Sequence, residues 1–161
     1  MSMIEPRLQQ MHETLMDVPW WSSTMHSNLE TSSYRALLTA LDIGTRGRSV
    51  EKLHVWAGGA HSLSYCEITL LTDRTWLFAE SDGNHFGGVS IVSRKAIRRV
   101  EIFTGPFAEE EGMDDVNSKS VTFEFDGGTF QRFPYEHNGW ELVAGDIHEL
   151  AAIALNDLVA R

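Results

Sequence analysis

The chain has 161 residues, 42% of them hydrophobic and 22% charged, enough for one core and too apolar for wholesale disorder. Twenty-three acids against 13 bases give a formal net charge of −10. Proteins that hold DNA, RNA or anionic lipid do so mainly by neutralising phosphates with Lys and Arg, so this balance argues against such partners.

From the N-terminus, Leu8, Met11, His12, Leu15 and Met16 recur at helical spacing, and the helix they predict stops near Asp17-Val18-Pro19. Trp20-Trp21 opens a polar stretch. A second helix is expected where Thr31, Ser32 or Ser33 can cap a first turn and Tyr34, Leu37, Leu38 and Leu41 form an apolar face, with Gly44 ending it. A loop with Arg46 and Arg48 follows. From Val50 the period becomes strand-like. Strands are expected over 53–57, 63–71, 75–79, 88–93, 100–104, 121–125 and 129–134. Turn residues separate several of them: Gly58 to His61, Thr72-Asp73-Arg74, Asp82-Gly83-Asn84 and Asp126-Gly127-Gly128. Arg94-Lys95-Ala96-Ile97-Arg98-Arg99 reads as a connection, and 105–119 as a polar, acidic loop. Asp146 can cap a last helix and Glu149 can reach back to it, a capping box in Asp form. Ile147, Leu150, Ala151, Ala154, Leu155 and Leu158 then make a wide apolar face that must be buried on a sheet.

About seven short antiparallel strands closed by one C-terminal helix form the layout of the pleckstrin-homology superfold. The chain resembles the small bacterial PH-like domains in three stretches. Ile68 to Phe78, with Asp73-Arg74 at its turn, is similar to their L-T-D-x-R-L-I-F hairpin. Val89 to Ile102 is similar to their I-P-L-x-x-I-x-x-V-x-V segment, and the final strand pair with the helix from Asp146 completes the likeness. The expectation is an α+β, mainly β fold: a seven-stranded antiparallel PH-like barrel or sandwich over 46–161, capped by the C-terminal helix. Residues 1–45 are expected to form a helical extension packed on it. The resemblance implies a non-enzymatic module that binds a protein, peptide or lipid; a shared fold by itself fixes no activity.

Arg94, Lys95, Arg98 and Arg99 are the one concentration of positive charge, suited to an acidic group or to balancing nearby acids. Phosphoinositide-binding PH domains carry basic residues around their first hairpin, whereas Trp56 to Leu63 here holds no Lys or Arg. Trp20, Trp21 and Trp140 fall outside regular elements and are candidates for covering the domain or meeting a partner. His54, His61, His85 and His137 lack the spacing that puts metal ligands on one face, and Glu109 to Asp115 lacks the alternating oxygens of a calcium loop. No metal or cofactor is expected. Cys66 sits in an apolar strand without a basic neighbour, so a packed thiol is expected rather than a nucleophile. Without a G-x-S-x-G elbow or a phosphate loop, nothing points to an enzyme.

The segment MSMIEPRLQQMHETL has no basic-then-apolar leader pattern and no later run reaches membrane-spanning length, so a cytoplasmic protein without membrane insertion is expected. Two functions lead, with an uncharacterised hydrolase only as a residual. One is a protein-binding module, possibly self-associating; the other is a small barrel carrying an apolar ligand among its aromatic side chains.

Overall fold

The computed structural model describes residues 4–22, 31–58, 65–82, 85–103, 120–134 and 142–161. The fold is α+β and mainly β, with an antiparallel five-stranded sheet, an antiparallel three-stranded sheet and a C-terminal helix. The chain divides into two compact units, Met1–Ile91 with Gly139–Gly145 and Val92–Asn138 with Asp146–Arg161.

In the first unit a 3₁₀ turn at Pro6–Leu8 leads into α1 (Gln9–Met16), which ends at Asp17 before Pro19 as the sequence predicts. Helix α2 spans Thr31–Thr45, with Ser32 and Ser33 in its first turn. Gly44 does not end α2; the left-handed residues are Arg46 (φ 53°) and Gly47 (φ 75°). The glycine is required for another reason: a Cβ at Gly44 would lie 2.5 Å from Leu77 Cδ2, so it lets the helix approach the sheet.

Strands β1 (Lys52–Ala57), β2 (Tyr65–Leu71) and β3 (Thr75–Asp82) pair antiparallel in sequence order, and β4 (His85–Ser93) follows β3 in the sheet. The β2–β3 turn closes on Thr72, whose Oγ1 accepts from the Arg74 and Thr75 amides at 3.2 and 3.0 Å. Alternation puts Val55, Ala57, Cys66, Ile68, Leu70, Leu77 and Ala79 on one face. These residues form a single core with Leu8, Leu15, Trp21, Tyr34, Leu37, Leu38 and Leu41 from the N-terminal segment. The helices therefore bury the apolar face of the sheet, and the sheet buries theirs.

Eight strands are described, one more than expected. The eighth strand, β8 (Leu142–Ala144), pairs with β1 and gives the order β4-β3-β2-β1-β8. A run of three residues is too short to carry a period, so only its long-range partner reveals it. Neither sheet closes on itself, which corrects the barrel expectation. Each sheet ends in two outer strands, whereas a barrel needs its first and last strands paired.

In the second unit β5 (Ile97–Phe103), β6 (Ser120–Phe125) and β7 (Phe130–Pro134) form a meander. The β6–β7 turn uses Gly127 (φ 88°) and Gly128 (φ 89°), the positive values that glycine accepts most readily. Val121, Phe123, Phe125, Phe133 and Ile97 are buried. Helix α3 (Ile147–Ala160) packs against β5 and begins as predicted, with Asp146 Oδ1 accepting from the His148 amide at 2.8 Å. Ile147, Leu150, Ala151 and Ala154 are buried, but Leu155 is 40% exposed. The buried stripe is narrower than the apolar one. Among the described residues no helix is long and apolar enough to cross a membrane.

Candidate functional site

The basic run does not form one loop. Arg94–Ala96 make a 3₁₀ turn after Ser93, whose side chain accepts from the Lys95 amide, and strand β5 begins at Ile97. Arg98 and Arg99 therefore stand on a strand, with a bulge between Ile97 and Arg99. Ile97 points inward and is fully buried.

Each arginine of the run meets an acid. Arg94 holds Asp157 of α3 through Nε at 2.9 Å and Nη2 at 2.8 Å, and both side chains are largely covered. Arg98 holds Glu124 of β6, with Nε 3.1 Å from Oε1. Arg99 reaches Glu101 at 3.1 Å and Glu124 at 3.9 Å. Lys95 is exposed in the turn. Charge this evenly matched leaves little potential to draw a polyanion. The Arg98 and Arg99 pairs are solvent-facing, where such contacts are worth about 0–1 kcal/mol each.

The three tryptophan candidates separate. Trp21 is fully buried in the first unit's core, 6.3 Å from the Tyr34 ring. It packs within the unit beside the buried Val18 and Tyr34, the domain-covering one of its two expected roles. Trp20 is half-buried, and its indole donates to the Val143 carbonyl at 3.4 Å, tying the N-terminal segment to β8. Trp140 lies outside the described residues, as do His61, His137 and the acidic stretch 109–115.

His54 is buried on β1, and His85 falls in β4. Among the described residues no group of three or more His, Cys, Asp or Glu is placed to hold a metal. Cys66 is fully buried and unpaired with another cysteine. Burial, reinforced by the neighbouring Glu67 carboxylate, pushes its thiol up to about 12, far from the thiolate that nucleophilic chemistry needs. Tyr34 follows the same logic: burial raises its hydroxyl to about 12, and His12 Nδ1 lies 2.8 Å from it. That contact reads as satisfaction of two polar groups at the helix interface.

One constellation escaped the sequence reading. On the sheet face opposite the helices, Trp56, Glu67 and Glu80 are successive register partners across β1, β2 and β3. Tyr65 stands beside them, with its ring 5.9 Å from Trp56 at 77° and its hydroxyl near both carboxylates. Gly58 belongs to this corner, because a Cβ there would lie 2.6 Å from the Trp56 ring. The signal was in the turn: once Thr72 to Thr75 fixes Leu71 opposite Trp76, counting back in twos puts Glu67 opposite Glu80.

No known family matches this chain, and neither a curated protein nor a solved structure does.

Proposed function

We propose that this chain is a non-enzymatic, PH-like binding module that engages a protein partner through the outer strands of its three-stranded sheet. The observation that carries the reading is apolar exposure on both of those strands. Ile102 (54%) and Phe103 (42%) lie on β5, and Phe130 (66%) lies on β7. Outer strands keep a row of backbone donors and acceptors, so an extended segment can add to them while its side chains meet the exposed apolar ones. Seven meander strands followed by a closing helix support the PH-like assignment, with β8 as an addition to that layout. The matched charges of the basic run and the acidic total favour a neutral or basic protein surface over nucleic acid.

The test compares the full chain with an Ile102→Asp/Phe130→Asp double variant whose melting transition is unchanged. Affinity capture and sedimentation at several concentrations cover a foreign partner and a second copy. A partner or self-association kept by the parent and lost by the variant supports the reading. Equal behaviour of the two proteins overturns it. Deep, saturable quenching of tryptophan fluorescence by a hydrophobic probe would favour the ligand-carrier function instead.

A further inference from the structure

Glu67 and Glu80 are register partners on β2 and β3, so their side chains leave the same face of the sheet side by side. Tyr65 is two residues before Glu67 on that face. Its hydroxyl oxygen lies 2.9 Å from Glu67 Oε1 and 3.3 Å from Glu80 Oε2. A phenol has one hydrogen and can donate it to one carboxylate only. A second full hydrogen bond needs another proton, carried by one of the carboxyls and donated back to the phenol.

The surroundings point the same way. Glu67 is half-buried, where a carboxylate loses solvation. Burial first and the Glu80 charge second hold its carboxyl above the ordinary range, against the opposing donation from Tyr65. The Tyr65 hydroxyl is itself pushed up, by burial and then by both carboxylates, so it stays a donor at neutral pH. Among the described residues of β1 to β3, the other titratable groups on this face are Asp82, opposite Tyr65, and His54 and Lys52, opposite Thr69 and Leu71. The direct cross-strand neighbour of Glu67 on β1 is Trp56, which brings no charge.

We propose that a proton on Glu67 links it to Glu80 through the Tyr65 hydroxyl, making the β2–β3 pair a proton-sensitive latch in the five-stranded sheet. With the proton present, a chain of two donated hydrogen bonds crosses the strands and carries one negative charge. Release of that proton to water leaves two carboxylates facing one donor. In the unfolded chain Glu67 gives up its proton in the ordinary carboxylate range, whereas burial in the folded sheet holds it to higher pH. The latch therefore stabilises the sheet fully below the ordinary range, and its contribution is lost as pH rises through the raised value.

Carboxyl-carbon NMR on the intact chain, with pH-dependent melting of the Glu67→Gln and Glu80→Gln variants, tests this. The Glu67 resonance is expected to titrate above the ordinary range and to move back toward it in Glu80→Gln. Melting temperature should fall with rising pH in the parent and stay flatter in Glu67→Gln, which should melt higher at the alkaline end. A Glu67 carboxyl titrating at the ordinary value, or the same pH slope in parent and Glu67→Gln, would overturn the proposal. So would a Glu67→Gln protein that fails to fold, because the amide keeps the shape and neutrality of the protonated acid.

Discussion

Arg94 grips Asp157 with two parallel hydrogen bonds, 2.9 and 2.8 Å long, and so joins the turn before β5 to the last turns of α3. The exposures of 22% and 13% place this pair between a surface contact and a buried one. At the same end of the helix Arg161 adds a second tie, donating to the Ile97 carbonyl at 2.8 Å and to Asp126 at 2.6 Å. Of the basic run, Arg94 thus holds the helix, while Arg98 and Arg99 are matched within the sheet.

Asp157→Asn should therefore destabilise the second unit by about 1–3 kcal/mol, since it leaves the Arg94 guanidinium largely covered and short of its counter-charge. Chemical denaturation of the single and double variants gives the coupling directly. Additive losses from Arg94→Ala and Asp157→Asn would show that the pair is not coupled.

Gly145 precedes the helix cap with φ 94°, and a Cβ there would lie 2.3 Å from the Leu53 carbonyl oxygen. Because the obstacle is backbone, it cannot swing aside as a side chain would. Gly145→Ala should cost about 2–4 kcal/mol, combining a strained conformation with a clash against β1. Gly127→Ala shares the positive φ but meets nothing within 4 Å, so urea midpoints of the two variants separate strain from contact.

Ending the chain after Gly145 should abolish cooperative unfolding of the second unit. It removes the buried Ile147, Leu150, Ala151 and Ala154, each worth about 1–3 kcal/mol where the apolar area is large and less for the alanines. It also removes both carboxylate and guanidinium ties to β5 and its turn. A shortened protein with an unchanged calorimetric transition would refute this.

Cys66 should react with a thiol reagent at least about 100-fold more slowly in the folded protein than in denaturant, since reaction must wait for opening of the sheet. Its complete burial and raised thiol value set that expectation across the neutral range. Equal rates in the two states would mean the thiol is reachable.

Binding of the protein to nucleic acid or to phosphoinositide vesicles should be undetectable at micromolar concentration and physiological salt. Arg98 and Arg99 already face Glu124 and Glu101. Salt-sensitive binding that Arg98→Glu/Arg99→Glu abolishes would contradict the matched-charge account.

Local chemistry was readable in the chain wherever a signal and its partner lay close together. Asp146 caps the helix two residues ahead, Pro19 limits α1, and Gly127-Gly128 turns β6 into β7. The Thr72 turn set the β2–β3 register, and with it the pairing of Glu67 and Glu80. Gly44 shows how such reading goes astray, because a glycine near a helix end has two uses. Here the close approach to Leu77 required it, and Arg46 with Gly47 took the left-handed positions.

Period, capping residues and turn chemistry thus determined the helices, seven of the strands and the burial of Cys66, because each is decided within a few residues of backbone. Which side chains became available was settled only by the fold. Trp21 vanished into a core shared with Tyr34 and Leu37, and β8 exists because β1 offers it an edge. The arginines lost their freedom to acids on β6 and α3. These outcomes depend on contacts between residues far apart in the chain, and no local pattern records where a distant partner will come to rest.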